Sequence, residues 1–152
     1  MTKYIKSSIL LLVVLPMMIM GCDTLFDKGD VEKSYDGPTQ VAFFPLERQT
    51  RVVQGGTTVD VQLIGPQRDS AVQVNVAANA SSTAQVGVHY NALPTSVTIP
   101  ANASTVTIPI TYIAGSVPAG GEVTILLDIT GVNDSAIEIA ENLKRSTIFI
   151  RP

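Results

Sequence analysis

Two residue types that carry covalent or acid–base chemistry occur only once in this 152-residue sequence, as Cys22 and His89. Cys22 follows a basic tip and an apolar stretch, which is the arrangement of an export signal. A single cysteine in an exported protein cannot close an internal disulfide, so its thiol is available for another covalent bond. Acylation is one such bond, because each buried methylene contributes about 0.8 kcal/mol and two chains anchor a protein stably.

The segment before Cys22 is too short to span a membrane as a helix. Lys3 and Lys6 form its positive tip, and Ile9–Met20 carries no charge. That apolar run is about 12 residues long, whereas a membrane-spanning helix needs about 20. A basic tip, a short apolar run and a small residue at Gly21 are typical of a signal peptide, here residues 1–21.

Ile19-Met20-Gly21-Cys22 resembles the lipobox of bacterial lipoproteins. The resemblance implies that diacylglycerol is attached to the thiol of Cys22 and that signal peptidase II cuts between Gly21 and Cys22. The mature protein would then carry fatty acids such as palmitate on its first residue and would be held at the membrane by them. The alternative is a conventionally cleaved or uncleaved signal with an incidental cysteine.

The other candidate, His89, lacks the partners that catalysis requires. A histidine base needs a nucleophile and an orienting carboxylate, and the sequence contains no Gly-x-Ser-x-Gly. Glu138 and Glu141 fit a solvated face better than a glycosidic site, and no zinc-ligand or phosphate-loop spacing occurs. We therefore predict no enzyme and no metal site. His89 is predicted to be a loop residue beside Tyr90, a packing anchor, and both are candidate loop contacts.

The charge balance excludes one class of partner. The formal net charge is −3, and the two leader lysines account for part of the basic side. Lysine and arginine form no clusters, whereas nucleic-acid binding requires a basic stripe that releases counterions. We predict no nucleic-acid partner, and the length fits one domain.

Residues 22–38 differ in amino-acid composition from the rest of the chain. Asp23–Gly37 interleaves acidic residues with Lys28 and Lys33, a composition that favours a flexible tether. Its aspartates loosely resemble a lipoprotein sorting signal, but a solvated spacer is the preferred interpretation.

Residues 39–152 alternate apolar and polar side chains with a period of two, which predicts half-buried antiparallel strands. Ala136–Lys144 is predicted to be a loop with at most one helical turn, and Pro109 to lie at an edge or bulge. The pattern predicts an all-β fold, a single immunoglobulin-like antiparallel β-sandwich of about seven strands. The predicted strand segments are Val41–Phe44 with a short continuation at Gln49–Gln54, Thr57–Ile64, Ala71–Ala77, Ser96–Ile99, Thr105–Ile113, Glu122–Thr130 and Ser146–Ile150.

The order of these segments resembles the Calx-β family, an immunoglobulin-like sandwich found in sodium/calcium exchangers and many exported proteins. The resemblance rests on Val41–Phe43, Gln54–Val59, Gly87–Tyr90, Val97–Ala101 with Thr105–Ile113, and Pro118–Thr130. Gly87-Val88-His89-Tyr90 also resembles a group of small lipoproteins that often sit beside surface glycan-uptake systems.

The family resemblance implies a calcium site, but the sequence lacks its ligands. Calcium-binding members carry carboxylates after the threonine-rich strand and in the following loop, since Ca²⁺ takes six to eight oxygen ligands. Here Ala114 and Gly115 stand at the first group of positions, and Ala119 and Gly120 at the second. Glu122 is the one carboxylate that remains, so we expect no calcium and no other cofactor besides the lipid.

These observations predict a lipid-anchored, non-catalytic lipoprotein of the bacterial cell envelope, at the outer membrane. Its sandwich would be a binding or adhesion module that meets a partner protein or a glycan through loops Ala78–Leu93 and Ala114–Gly121. Two alternatives are a structural accessory lipoprotein of a larger envelope or glycan-uptake complex, and a weak Ca²⁺-binding Calx-β domain.

Overall fold

Strand-forming alternation produces a two-sheet sandwich in the computed structural model, which describes residues 35–152. The predictions for residues 1–34, including cleavage after Gly21 and acylation of Cys22, lie outside the described residues. Within the described part there are nine strands and one 3₁₀ turn, Val52–Gln54. The strands are β1 Gln40–Phe44, β2 Glu47–Arg51, β3 Gly56–Ile64, β4 Val72–Ala78, β5 Ser96–Ile99, β6 Thr105–Thr111, β7 Val123–Val132, β8 Glu138–Ile139 and β9 Arg145–Arg151.

One sheet has the strand order β6-β3-β1-β8 and the other has the order β2-β9-β7-β4-β5. Most neighbours are antiparallel, but β1 pairs with β8 and β2 pairs with β9 in parallel. The prediction of an all-β, immunoglobulin-like sandwich is confirmed, with nine strands in place of about seven.

The core lies between the sheets and consists of the alternate residues of facing strands. In β9, Ile148 and Ile150 are fully buried while Phe149 between them is partly exposed. The same alternation runs through β4, where Val72, Val74 and Val76 are buried. Because each such side chain contributes roughly 1.5–3 kcal/mol when buried, the interleaved valines and isoleucines hold the sheets together.

The first strand changes sheets at a cis peptide bond between Phe44 and Pro45. Strand β1 lies in one sheet, and β2 continues in the other, where the backbone amide of Thr147 donates to Leu46 O at 2.8 Å. The Ser146 hydroxyl, fully buried, donates to Pro45 O at 2.7 Å. These bonds fix the crossover to β9.

Two segments differ most from the sequence predictions. The predicted strand Gln49–Gln54 ends at Arg51, because Gln54 Oε1 accepts a hydrogen bond from the Arg51 amide and closes a 3₁₀ turn. The predicted loop Ala136–Lys144 contains the short strand β8. The open edge of β1 supplies its acceptors, since the amide of Glu138 donates to Thr39 O and that of Ala140 to Val41 O.

Pro109 lies opposite Thr58 in β6, the edge strand of its sheet. A proline has no amide hydrogen to offer a further strand, so it is tolerated at an edge. The prediction of an edge position for Pro109 is confirmed.

The strand registers define two ends of the sandwich. At one end Gln40 pairs with Ile64, so the described chain begins there; we name it the N-terminal end. At the other, Gly56 pairs with Thr111 and Val123 with Ile150. Three connections meet at this second end, which we name the loop end: residues 52–55, 79–95 and 112–122.

Candidate binding surface at the loop end

His89 and Tyr90 lie in the connection 79–95 and help to hold it in place. The imidazole Nδ1 of His89 accepts a hydrogen bond from the Gln85 amide at 2.9 Å, and its backbone carbonyl accepts one from the Ile113 amide at 3.0 Å. This connection is thereby joined to the connection 112–122. Because Nδ1 accepts the hydrogen bond from the Gln85 amide, the imidazole ring is held against the backbone of its own connection.

Tyr90 is buried, with 3% of its surface exposed, and burial raises the pKa of its phenol. It forms backbone bridges with Val86 and with Tyr112. The prediction that Tyr90 is a packing anchor is confirmed. A role for His89 or Tyr90 as a contact to a partner stays a prediction.

Tyr112 is the second buried tyrosine at this end, and its phenol oxygen has no hydrogen-bond partner. The Thr50 hydroxyl, which lies close to the phenol, donates to Gln54 Oε1 at 2.7 Å. Burial raises the pKa of Tyr112, and the proximity of Thr50 and Arg48 offsets part of that shift. The Tyr112 side chain therefore faces the core.

An apolar depression of about 500 Å³ occupies the place where the family resemblance puts calcium ligands. Val53 on its rim is 82% exposed. Its lining comprises Val52, Val53, Gly55, Ala114, Gly115, Val117 and Pro152. Valine and alanine side chains offer no oxygen to a hard cation, so this lining does not fit calcium.

The one remaining carboxylate of that region is already paired. Glu122 Oε2 accepts a hydrogen bond from Arg151 Nε at 2.6 Å. Among residues 35–152 no three histidine, cysteine or acidic side chains come together as a metal site would require. The absence of bound calcium stays a prediction, and the side chains present do not favour the ion.

The turn from the 3₁₀ segment into β3 shapes the rim of this depression. Gly55 has a φ of 75°, a left-handed conformation that glycine adopts without strain. A side chain at Gly56 would collide with the carbonyl oxygen of Ile110. Gly55 and Gly56 therefore let the connection 52–55 turn tightly against the end of β6.

A second apolar depression, of about 250 Å³, lies beside the connection 79–95. Val86 in its lining is 57% exposed, and the nearby Val88 is 49% exposed. With Val53, these valines give each of two connections an exposed apolar side chain. Sequence reasoning placed the loops but missed the exposed valines, because a valine within a loop has no periodic pattern to mark its direction.

Asn79 attaches the start of the connection 79–95 to the outer face of the second sheet. Its amide donates to Asp128 Oδ2 at 2.7 Å, and Arg145 donates to both oxygens of Asp128 at 2.6 and 2.8 Å. Arg145, followed by Asn79, holds the pKa of Asp128 below its usual range, although burial opposes the shift.

Sequence reasoning also missed a polar feature on the same outer face, a pair of arginines in neighbouring strands. Arg51 at the end of β2 is directly opposite Arg151 at the end of β9. Both line a shallow depression of about 220 Å³ together with Gln49 and Gln54. Both arginines are visible in the sequence, but the pairing of two strands 100 positions apart is not readable from one sequence.

No helix in residues 35–152 is long and apolar enough to cross a membrane.

The two sheets, their order and the sheet-changing first strand define a Calx-β-like β-sandwich. Among solved structures, the apo-form Calx CBD1 domain is similar with a TM-score of 0.64 and 15% identity, covering 76% of this chain and 97% of that one. The Calx CBD2 domain has a TM-score of 0.61 and 13% identity, covering 73% of this chain and 85% of that one.

A further similar structure is the periplasmic chaperone SfaE, with a TM-score of 0.50 and 13% identity. The match covers 74% of this chain and 57% of the chaperone. The sequence matches no protein-family model and no curated protein. At such identities the likeness establishes the fold alone, and the fold implied by the Calx-β resemblance is confirmed.

Proposed function

We propose that this protein is a lipid-anchored, non-catalytic lipoprotein of the cell envelope that displays a β-sandwich binding module. The observation that carries the proposal is the placement of the connections 52–55, 79–95 and 112–122 at the end opposite the start of the described chain. An anchor attached through the N-terminal end leaves the loop end free to meet a partner.

The anchor in this proposal is Cys22, acylated after cleavage behind Gly21. About 17 residues separate Cys22 from Thr39, so the chain between them reaches at most about 60 Å when fully extended. That distance is enough to carry the module clear of the lipid headgroups. The outer membrane is the proposed location.

The loop end supports a binding role better than a catalytic one. Its histidine uses Nδ1 as an acceptor for the Gln85 amide. Its one carboxylate on the connection 112–122, Glu122, is paired with Arg151. Connections positioned by a rigid scaffold are a common place for binding residues, and exposed apolar side chains such as Val53 are typical of contact surfaces.

A partner protein and a glycan both remain within the proposal. The second candidate function is a structural accessory lipoprotein of a larger envelope or glycan-uptake complex. The apolar depressions beside Val53 and Val86 favour this candidate, since contiguous apolar surface is typical of protein contacts.

The anchor is tested by comparing the full chain with Cys22→Ser in cells grown with labelled palmitate. The wild-type chain is expected to incorporate label and to sediment with the outer membrane, whereas Cys22→Ser does neither. If Cys22→Ser still incorporated palmitate and stayed with the membrane, the anchor assignment would be wrong.

The binding role is tested with the full chain in detergent, applied to a glycan array and used in pull-downs from envelope extracts. Saturable glycan binding supports the binding module, and recovery of a defined envelope complex without glycan binding supports the accessory role. Turnover of any substrate that disappears with a loop substitution would contradict both.

A further inference from the structure

The arginine pair on the outer face of the second sheet places two positive charges side by side. Thr50 is buried in β2, so its neighbours Gln49 and Arg51 point outward, and in β9 the burial of Ile150 directs Arg151 outward as well. Neighbouring strands lie about 4.8 Å apart, so Arg51 and Arg151 face the solvent as direct neighbours.

Like charges directly opposite one another in a sheet are destabilising. Glu122 compensates only one of them, through its bond to Arg151 Nε, and Arg51 forms no ion pair within residues 35–152. Glu47, the other acid on this face of β2, is two outward positions away from Arg51. The Arg51–Arg151 pair therefore keeps an excess positive charge, which lowers the stability of the fold. A bound partner of opposite charge would remove that destabilisation.

Gln54 adds a pre-oriented donor to the same depression. Its side-chain oxygen accepts two hydrogen bonds, from the Thr50 hydroxyl at 2.7 Å and from the Arg51 amide at 2.9 Å. With the oxygen occupied by these two donors, the NH₂ group is the part of the amide left to meet a ligand. The depression thus combines an amide donor with two guanidinium groups, an arrangement that fits an anionic acceptor.

An aromatic ring lies next to these donors. Phe149 is two residues before Arg151 in β9 and points to the same outer face, with Gln49 as its register neighbour in β2. The spacing of two strand residues is about 6.6 Å, close to the width of one sugar ring. A ring lying on Phe149 would bring a substituent carboxylate within reach of Arg51 and Arg151.

We propose that Arg51, Arg151, Gln54 and Phe149 form a binding site for a carboxylate-bearing sugar, such as a uronate residue of an acidic glycan. The inference rests on the proposed function, since it names the chemical class of the glycan that the module would meet. The arginine forks and the Gln54 amide bind the carboxylate, and Phe149 contacts the apolar face of the ring.

The test measures binding of trigalacturonate and of its fully methyl-esterified form to the full chain in detergent by calorimetry. Trigalacturonate is expected to bind, and the ester to bind at least about tenfold more weakly, because it lacks the charge that the arginines recognise. Added salt is expected to weaken the binding of the acid.

Three variants locate the site. Arg51→Gln and Arg151→Gln should each weaken trigalacturonate binding about ten- to hundredfold. Phe149→Leu keeps an apolar side chain without an aromatic face and should also weaken it. The matched control is Arg48→Gln, which removes the same charge from the same strand on its opposite face, where Arg48 contacts Thr57. It should bind as the wild type does.

The melting temperature of each variant checks that it folds. Arg51→Gln is expected to melt at or above the wild-type temperature, because it removes a like-charge pair. Equal loss of binding in Arg48→Gln, or equal binding of the acid and the ester, would overturn the site. Binding of an oligo-aspartate peptide with the same arginine dependence, but none of trigalacturonate, would overturn the sugar class. If the protein bound a neutral glycan regardless of Arg51, the site would be refuted while the binding module stood.

Discussion

Replacing Tyr112 by phenylalanine should stabilise the protein. Tyr112 is 6% exposed, and its phenol oxygen has no hydrogen-bond partner within residues 35–152. A buried hydroxyl without a partner costs about 1–3 kcal/mol relative to its hydrated state. Tyr112→Phe removes that oxygen and leaves the ring in place, so we expect about 1–2 kcal/mol of added stability. For a domain of this size that is about 3–10 °C in melting temperature.

The assay is urea unfolding of wild type, Tyr112→Phe and the control Tyr90→Phe. Tyr90 is also buried, but its phenol oxygen is not among the unpaired buried atoms, so its replacement should not stabilise the protein. A decrease of more than about 1 kcal/mol in Tyr112→Phe would show that the phenol makes a hydrogen bond in solution, and would refute the reasoning.

Tyr112→Phe should also change how the free energy of unfolding depends on pH at alkaline pH. Burial raises the folded-state pKa of Tyr112 above the ordinary value of 10.0. Its protonated form is therefore favoured by folding, so stability holds below pH 10.0 and decreases as the pH rises from there through the higher folded pKa. Tyr112→Phe lacks this loss, and its advantage over the wild type should grow above pH 10.0.

Three further predictions concern acid stability, the sheet crossover and calcium. Asp128→Asn should lower the melting temperature at pH 7. Arg145 holds the pKa of Asp128 below 3.8 in the folded protein, so the ionised carboxylate stabilises the fold. This stabilisation is present above pH 3.8 and is lost as the pH falls through the folded pKa. Melting curves of the two proteins should converge in acid, and a constant difference would contradict the linkage. Ser146→Ala should cost about 1–2 kcal/mol in urea unfolding, because Pro45 O loses its donor within the core, and an unchanged midpoint would contradict this. Calcium added to the full chain should leave its melting temperature unchanged, and a rise of several degrees would reverse that prediction.

Strands stabilised by local alternation were predictable from the sequence. The predicted segments Thr57–Ile64 and Ser96–Ile99 match the observed β3 and β5 to within a residue. In each of them apolar and polar side chains alternate with the two-residue period of a strand. The predicted Thr105–Ile113 ends at Thr111 instead, where the chain turns toward the connection 112–122. In these segments burial on one face alone specifies the strand.

Features that depend on distant partners were not predictable. Strand β8 exists because the edge of β1 accepts its amides, and β1 lies almost 100 positions earlier. Pairings of this kind arise from tertiary packing, which overrides the weak local preference of a short segment. The end of β2 at Arg51 has a local cause, because the Gln54 side chain that caps its turn is only three positions away.

At the loop end, too, the sequence identifies the charged side chains but not how they pair. Glu122 was correctly recognised as the last carboxylate of the region, but its pairing with Arg151 follows from the position of β9 beside β7. The proposed sugar site likewise depends on the parallel register that places Arg51 against Arg151. A sequence reveals which side chains exist, and the pairing of strands decides which of them form a site.

The overall acidity of the chain does not argue against an acidic ligand at this position. The formal charge of −3 is spread over the whole sequence, while charges more than about 8–10 Å away are screened at physiological ionic strength. Within that range a ligand carboxylate at the arginine pair meets Arg51 and Arg151 against the paired carboxylate of Glu122, because Glu47 lies four residues before Arg51, about 13 Å along β2. Acidic loops of the calcium-binding kind would repel such a ligand, and here alanine and glycine stand at Ala114 and Gly115. The absence of carboxylates at these two positions and the arginine pair therefore act in the same direction, since both make this end of the sandwich more receptive to an anion.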